Sequence, residues 1–314
     1  MNYAAIIAAA GVSSRSHHFK PMMWLEQETI IQNTIDVFIS VGIKEIVVVG
    51  GYKSDVLFKH IENKPVRFIE NKNFESTKMM DSVKLGLDAL SFDYDFIFIS
   101  RGDTPLLNKE TIVKMMESKA CIARPGVNGH AGRPIMVSSE KINEMLTCED
   151  GLRGFIKKNQ EIVKIIEVND ESVLLDADVP EDYKKLCQYS RSNRSDGKLV
   201  PELNVRILKS EIILSNESVR LLEMIDQMGS IQAACASVHI SYTKGWSMIK
   251  KMEKELGFNL VVRYSGGEYG GGSELSKRGR EFIKAYHGYM DEMNAESQRM
   301  FPKYFSEFNK GDSK

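Results

Sequence analysis

A loop near the start of the chain combines glycine, hydroxyl and basic side chains in one short stretch, AAAGVSSRSHHFK. Gly11 lets a ligand approach the backbone closely, and Ser13 and Ser14 add hydroxyl donors. Arg15 and Lys20 bring positive charge to the same loop. Exposed backbone amides beside fixed cations suit the phosphates of a nucleoside triphosphate, so these residues predict a phosphate-binding loop.

A secretory signal peptide and a plain glycine turn are the alternative interpretations of this stretch. A signal peptide needs a basic start and a longer apolar core, whereas residues 4–10 form an apolar run of strand length. The spacings of the P-loop and of the dinucleotide motif G-x-G-x-x-G are absent. We therefore expect a buried first strand that leads into the loop, in a cytoplasmic protein.

Short apolar runs alternate with helical patterns from residue 1 to about residue 187. The β-branched run IKEIVVVGG follows a stretch in which Ile31, Ile35, Phe38 and Ile39 share one helical face. VRFIEN, DSVKLGLDAL and YDFIFIS repeat the alternation. This order predicts an α/β domain with a Rossmann-like, mostly parallel sheet, in which ligands bind beyond the carboxyl ends of the strands.

The composition is that of an ordinary soluble protein with about two domains: 314 residues, 42% hydrophobic, 27% charged and a net charge of −1. Four scattered cysteines indicate reduced thiols rather than a disulfide framework or a zinc site, and no apolar run is long enough for a membrane span. We predict a first domain over residues 1–187, a linker over 188–201, a second domain over 202–293 and a polar tail over 294–314.

Five motifs in residues 3–187 occur in the order in which one enzyme family carries them. They are A-A-G-x-S-x-R followed by lysine, a G-D-x-P loop, a G-x-P loop, a D-G-L-R segment and a closing D-x-D-x-P-E-D. The motif residues are Ala9, Ala10, Gly11, Ser13, Arg15 and Lys20, then 102–106, 132–135, 150–153 and 176–182. In these motifs the chain resembles the MobA/MocA-like nucleotidyltransferases, which build the dinucleotide forms of the molybdenum cofactor.

The resemblance implies that a substrate phosphate attacks the α-phosphorus of a nucleoside triphosphate and releases pyrophosphate. Lys20 and Arg15 would hold phosphates, and Asp103 and Asp178 would bind Mg²⁺. The Mg²⁺ ion and the lysine would then stabilise the charge on the α-phosphate. Helix capping is the alternative role of the two aspartates. The A-A-G triplet is similar to that of cytidine-type members, which implies CTP. The implied nucleotide contacts are Ala9, Ala10, Gly11, Ser13, Ser14, Arg15, Lys20 and Gly102.

Several positions depart from the family pattern. Ser-His-His follows the loop arginine, where Met-Gly is usual. Arg101 stands where a small or apolar residue is usual, and it would either bind an anionic substrate or weaken magnesium binding. Arg133 replaces a common histidine, and the segment with Lys78 and Ser82 replaces Gly-Met-Ser. The candidate acceptor contacts are Arg101, Arg133, Lys78 and Ser82. The departures therefore concern the acceptor more than the reaction class.

A different pattern of helices follows residue 202. Ser215 is placed to cap a helix that Gly229 ends, and Ser230 to cap a short alanine-rich helix. After a tight turn, Ser241 is placed to cap a longer helix that extends to about Leu256. This succession is typical of a helix-turn-helix, whose second helix enters a major groove.

The charge and glycine content of the same region agree with DNA binding. Between residues 241 and 284, nine lysines and arginines stand against five acidic residues, although a solvated helix face is the alternative explanation. The segment SGGEYGGGSEL lies between the strand-like LVVRY and the helical SKRGREFIKAY, and it predicts a hairpin wing.

In its G-S-I-x-A-A, S-Y-x-x-x-W and glycine-rich segments, the second domain resembles the DNA-binding domain of the molybdate-responsive regulator ModE, a winged helix of the LysR type. The resemblance implies double-stranded DNA as a partner, a homodimer, and a core that contains Trp246 and Ile249. The oxyanion-binding domains of that family have no counterpart here, so molybdate sensing by that route is not expected. The implied DNA contacts are Tyr242, Thr243, Lys244, Ser247, Lys250, Lys254 and Arg263.

The two resemblances together predict a protein that transfers CMP from CTP to a phosphorylated acceptor, the molybdopterin cofactor, and that also regulates transcription. Two alternatives remain at this stage. In one alternative, the protein is a transcriptional regulator whose first domain only senses a nucleotide or cofactor. In the other, the first domain is a cytidylyltransferase that acts on another phosphorylated alcohol or sugar.

Overall fold

The computed structural model describes residues 1–11, 19–25, 28–104, 106–175, 186, 189, 199, 201–210, 212–264 and 272–308. The chain divides into two compact units between Arg191 and Ser192, which lies within the predicted linker. None of the helices in these ranges combines the length and the apolar character that crossing a bilayer requires.

The first unit alternates strands with helices along the chain, as the sequence predicts. Its strands are β1 (Tyr3–Ala9), β2 (Trp24–Leu25), β3 (Glu28–Thr29), β4 (Glu45–Gly50), β5 (Arg67–Glu70), β6 (Phe96–Arg101), β7 (Ile122–Val127), β8 (His130–Ala131), β9 (Ile135–Ser138) and β10 (Val163–Glu167). Its helices are α1 (Ile30–Ser40), α2 (Ser54–Ile61), α3 (Met79–Asp88), α4 (Lys109–Ser118), α5 (Ser139–Leu146) and α6 (Gly151–Lys158).

Eight of these strands form one sheet with the order β10-β7-β9-β6-β1-β4-β5, and β8 pairs with β7. β1 pairs in parallel with β4 and β6, as do β4 with β5 and β10 with β7. β9 runs antiparallel between β6 and β7. The predicted α/β fold with a mostly parallel sheet is confirmed, and β9 and β8 depart from a fully parallel order, since β8 pairs antiparallel with β7.

The centre of the sheet is apolar because β1 lies between two other buried strands. Ile6 and Ile7 of β1 are fully buried, and Ile6 lies beside Val47 of β4 and Ile99 of β6. A strand that is covered on both faces reads as a continuous apolar run, which is how the stretch AAIIAAA reads. The carboxyl ends of β1 and β6 therefore come together at one edge of the sheet.

The described residues of the second unit form two small hairpins and four helices. The hairpin strands are β11 (Ile207–Leu208) with β12 (Ile212–Leu214), and β13 (Val261–Tyr264) with β14 (Gly272–Leu275). The helices are α7 (Asn216–Met228), α8 (Ile231–Ser237), α9 (Tyr242–Leu256) and α10 (Lys277–Phe305). The antiparallel pair β13–β14 flanks the glycine-rich segment, which is the arrangement that a wing requires.

The ends of the helices in the second unit follow from local hydrogen bonds. The hydroxyl oxygens of Ser215, Ser230 and Ser241 accept from backbone N–H groups in the first turns of α7, α8 and α9. Gly229 ends α7 with a φ of 65°, a conformation that favours glycine. The structure thus confirms the predicted helix-turn-helix, including the serines that cap its helices.

The last helix differs from what the sequence predicts. α10 has no break at residue 293, where the predicted polar tail begins, and it continues to Phe305. The polar composition of residues 294–305 is compatible with a solvent-exposed helix, because such a helix needs little apolar surface. Residues 294–305 thus extend the last helix of the second unit.

Candidate functional site

A cavity of about 460 Å³ opens at the carboxyl ends of β1 and β6 in the first unit. The predicted residues Ala9, Ala10, Gly11 and Gly102 line it. It lies where ligands bind in parallel sheets of this kind. The charged residues that line it are Lys20, Lys78, Arg101, Arg124, Arg133, Arg153 and Asp103. Six basic side chains against one described carboxylate make this cavity suited to a polyanion.

The close approach of two strand ends shapes the floor of the cavity. The backbone N–H of Gly102 donates to the carbonyl oxygen of Ala8 at 2.9 Å. A Cβ atom at position 102 would lie 2.6 Å from the Cβ of Ala9, which is too close for any side chain. Glycine is therefore required at this position, and the small side chains of Ala8 and Ala9 leave the backbone accessible to a ligand.

Lys20 and Asp103 both line this cavity and lie close together, although 83 positions separate them in the sequence. Lys20 belongs to the short 3₁₀ helix Lys20–Met22 and is 7% exposed, while Asp103 is 8% exposed. The Lys20 Nζ lies 3.8 Å from the Asp103 Oδ2. The same oxygen accepts a hydrogen bond from the Arg101 guanidinium at 2.6 Å. Two cations thus share one nearly buried carboxylate.

A polar side chain that sequence reasoning did not single out organises the neighbouring wall. Asn71 follows β5, is 3% exposed, and its backbone N–H donates to the Gly50 carbonyl at 2.8 Å. Its Nδ2 donates to the Oγ1 of Thr77 at 2.9 Å and to the Oγ of Ser82 at 3.1 Å. Ser82, a predicted acceptor contact, lines the cavity while its hydroxyl holds Asn71. Lys78 lines the same wall with an exposed side chain.

Three arginines line the part of the cavity formed beyond β6 by β7, β9 and α6. Arg133 is a predicted acceptor contact and Arg153 belongs to the D-G-L-R motif, whereas Arg124 was not singled out from the sequence. Arg124 lies on β7, and its Nε and Nη2 donate to the Gly132 carbonyl oxygen at 3.1 and 3.0 Å. Burial and the positive charge of Arg133 lower the pKa of the Arg124 guanidinium. These arginines add positive charge to this part of the cavity.

The fit of a divalent cation to this cavity depends on Asp103. Mg²⁺ is usually bound through one or two carboxylates and the oxygens of substrate phosphates. Asp103 is the one described carboxylate that lines the cavity, and the described residues contain no cluster of three or more metal-ligating side chains. The residues present therefore fit a cation that is held largely by the phosphates of a substrate. The predicted residues Ser13, Ser14, Arg15 and Asp178 lie outside the described residues.

The predicted DNA contacts lie together on the second unit. Tyr242, Thr243, Lys244 and Ser247 are exposed in the first turns of α9. The short helix α8 packs against α9 at Gly245, where an added Cβ would lie 2.3 Å from the Sγ of Cys235. The two helices therefore pack closely at Gly245.

Trp246 differs from the prediction, which placed it in the core. It is only half-buried, and its ring is covered by two cations, the Arg263 guanidinium at 3.7 Å and the Lys250 Nζ at 4.7 Å from the ring centroid. Arg263 also donates to the Tyr242 hydroxyl at 2.9 Å. Helical periodicity does not separate a core tryptophan from one that stacks on cations. Ile249, which was predicted with it, is fully buried.

Two of the predicted phosphate-binding lysines form ion pairs within the unit. Lys244 lies 2.7 Å from Glu217, and Lys250 lies 3.0 Å from Glu253. Glu253 is buried and also accepts from the backbone N–H groups of Leu260 and Val261, so it holds the start of β13 against α9. Lys254 is exposed. The basic face is therefore partly neutralised by the chain's own carboxylates.

Comparisons with known proteins match the two units separately. A family model described as MobA-like NTP transferase domain matches residues 5–163, and one described as bacterial regulatory helix-turn-helix protein, lysR family, matches residues 217–280. The chain is 20% identical to a solved nucleotidyl transferase from Methanothermobacter thermautotroptrophicus, with a TM-score of 0.54. That match covers 61% of this chain and 99% of the other, and it shows the fold of the first unit alone.

Two curated proteins match one unit each. The molybdenum cofactor cytidylyltransferase of Escherichia coli (strain K12) is 27% identical over 183 residues, which are 57% of this chain and 92% of that protein. The molybdenum transport protein ModE of Azotobacter vinelandii is 37% identical over 87 residues, which are 28% of this chain. The chain spans only 32% of the length of that regulator. The resemblances to both families are thereby confirmed.

Proposed function

Because this chain belongs to the MobA-like NTP transferase family and joins that domain to a LysR-type helix-turn-helix, we propose that it transfers CMP from CTP to a phosphorylated acceptor and binds double-stranded DNA. The proposed acceptor is the molybdopterin cofactor. The observation that carries the proposal is the cavity at the carboxyl ends of β1 and β6, with six basic side chains around one described carboxylate.

The nucleotide is proposed to bind over β1. Gly11 and Gly102 expose backbone beside two small alanines, so that a base and its phosphates can lie close to the chain. Lys20 is nearly buried and lines the same part of the cavity, where a cation interacts strongly with phosphate. Arg15 is proposed to add a second cation, as the family resemblance implies.

The acceptor is proposed to bind beyond β6, beside Arg124, Arg133 and Arg153. Two phosphates that approach each other for transfer repel strongly, and cations on both sides lower that repulsion. The hydrogen bonds from Arg124 to Gly132 hold its guanidinium in place before a ligand arrives. This arrangement supports an acceptor that is itself an anion.

Asp103 and Asp178 are proposed to hold Mg²⁺. When bound, the ion would neutralise charge on the α-phosphate and its leaving group. The protein's own contribution is to orient the two phosphates with Lys20 and the arginines. The preference for CTP is supported by the A-A-G triplet and by the cytidylyltransferase relative from Escherichia coli.

In the second unit, α9 is proposed to enter a major groove while Arg263 and the exposed lysines contact phosphates. A homodimer is proposed on the resemblance to ModE. The exposed apolar side chains of Tyr289, Met293, Met300 and Tyr304 on α10 agree with such a contact. Size-exclusion chromatography with light scattering tests this point, and a monomer at all concentrations would contradict it.

The transfer reaction is tested by incubating the full chain with the molybdopterin cofactor, Mg²⁺ and CTP, GTP or ATP. Of the three nucleotides, we expect only CTP to give pyrophosphate release. We expect Asp103→Asn to lose this release while circular dichroism shows that it remains folded. Asp88→Asn, at the end of α3 and outside the cavity lining, is the matched control. Equal activity of Asp103→Asn and the control would contradict the role of Asp103.

A second candidate function is nucleotide sensing without turnover. The observation that favours it is the 2.6 Å ion pair between Arg101 and Asp103, because a carboxylate bound to arginine is less available to a metal ion. CTP binding without pyrophosphate release, together with a change in DNA affinity on adding CTP, would support sensing over transfer.

A further inference from the structure

We propose that Arg101 competes with the divalent cation for the carboxylate of Asp103, so that metal binding at this site requires displacement of a guanidinium. The proposal rests on the proposed function, since it concerns the same cavity. It adds that an internal cation sets the metal affinity of this chain and that the nucleotide and the metal bind cooperatively.

The geometry places two of the cavity's cations, Arg101 and Lys20, near one oxygen of Asp103. The Arg101 Nη2 and the Lys20 Nζ lie 2.6 and 3.8 Å from the same Asp103 Oδ2. The Asp103 side chain is 12% exposed, so its charge is poorly solvated and the ion pair with Arg101 is stronger than one at the surface. A metal ion that binds this carboxylate must overcome that pairing, because it would place a third positive charge beside two others.

A ligand in the cavity would offer Arg101 a further anionic partner. It is the last residue of β6, its side chain is 30% exposed, and it lines the cavity. A triphosphate in the cavity would offer Arg101 oxygens that match the fork of a guanidinium. Movement of Arg101 from Asp103 to phosphate would release the carboxylate for a metal. Since coupling between two ligands is reciprocal, the metal would then favour nucleotide binding to the same extent.

The proposal makes Arg101, rather than the charge of the cavity as a whole, the residue that sets the metal affinity. Arg153 lines the same cavity but makes no ion pair with Asp103 among the described residues, so it serves as a matched comparison. Removing either arginine lowers the positive charge of the cavity by one. Of the two substitutions, only removal of Arg101 takes away the 2.6 Å partner of the Asp103 carboxylate.

The test measures Mn²⁺ binding to the full chain by electron paramagnetic resonance, without nucleotide. We expect Arg101→Ser to bind Mn²⁺ at least about tenfold more tightly than the wild type, as loss of a charged hydrogen bond implies. Arg101→Lys should lie between the two. Arg153→Ser should change the affinity less than threefold, and Arg101→Ser with Asp103→Asn should lose the gain.

Thermal unfolding of each variant shows whether it is folded, and Arg101→Lys keeps a cation in case Arg101→Ser is unstable. Equal Mn²⁺ affinity of the wild type and Arg101→Ser, including no binding by either, would overturn the proposal. So would an equal gain in Arg153→Ser. A gain in Arg101→Ser without pyrophosphate release from any variant would instead contradict the transfer reaction and leave the role of Arg101 supported.

Discussion

The two units carry their positive charge in opposite ways. In the first unit, basic side chains converge on a cavity, and Lys20 is 7% exposed. In the second unit, the side chains of Lys244 and Lys250 are 53% and 56% exposed, and each is paired with a glutamate of the same unit. Charge in a cavity acts at short range in a low dielectric, whereas charge on an open face is screened by salt. The same residue types therefore serve a small anion in one unit and a long polyanion in the other.

The largest effect is expected where a cation is most buried. Lys20→Met keeps most of the length of the side chain and removes its charge, so we expect the rate of CMP transfer to fall about a hundred- to a thousandfold. Pyrophosphate release at saturating CTP measures it. Lys44→Met, an exposed lysine of the same unit, should keep the wild-type rate. Equal rates for the two variants would show that burial does not distinguish functional cations in this unit.

A smaller effect is expected for an exposed cation of the second unit. Arg263 stacks on Trp246 and donates to Tyr242, so its guanidinium is held on the face of α9. We expect Arg263→Gln to weaken binding to duplex DNA about tenfold and to lower the slope of log affinity against log salt by about one. Fluorescence anisotropy over a series of salt concentrations measures both. Arg299→Gln, on α10, is the control, and an unchanged slope in Arg263→Gln would argue against a phosphate contact.

What the sequence predicts well in both units is local. The periodicity of apolar residues predicts the alternation of strands and helices. The helix ends at Ser215, Ser230, Ser241 and Gly229 depend on hydrogen bonds within one turn. The motif order adds the cavity, because motif loops follow strands whose carboxyl ends meet.

What the sequence does not predict depends on neighbours that are distant along the chain. Arg124 lies on β7, which β9 separates from β6, so its place in the cavity depends on the strand order of the sheet. Trp246 falls at an apolar helical position, and the guanidinium that covers its ring comes from Arg263 on another element, β13. The pairing of Arg101 with Asp103 is close in sequence, yet its strength comes from the burial that the sheet imposes.

The smallest effect is expected from removing a charge that opposes DNA. Glu217 lies 2.7 Å from Lys244 on an exposed face, so phosphate and glutamate would compete for the same ammonium group. We expect Glu217→Gln to raise the affinity for duplex DNA about two- to fivefold, the modest amount that an exposed ion pair contributes. Because such charges are screened, the gain should shrink as salt increases. Glu296→Gln removes a similar exposed carboxylate on α10 and should leave the affinity unchanged. A lower affinity for Glu217→Gln would instead mean that the glutamate positions Lys244 for phosphate, and the pairing on this face would then resemble the fixed cations of the cavity.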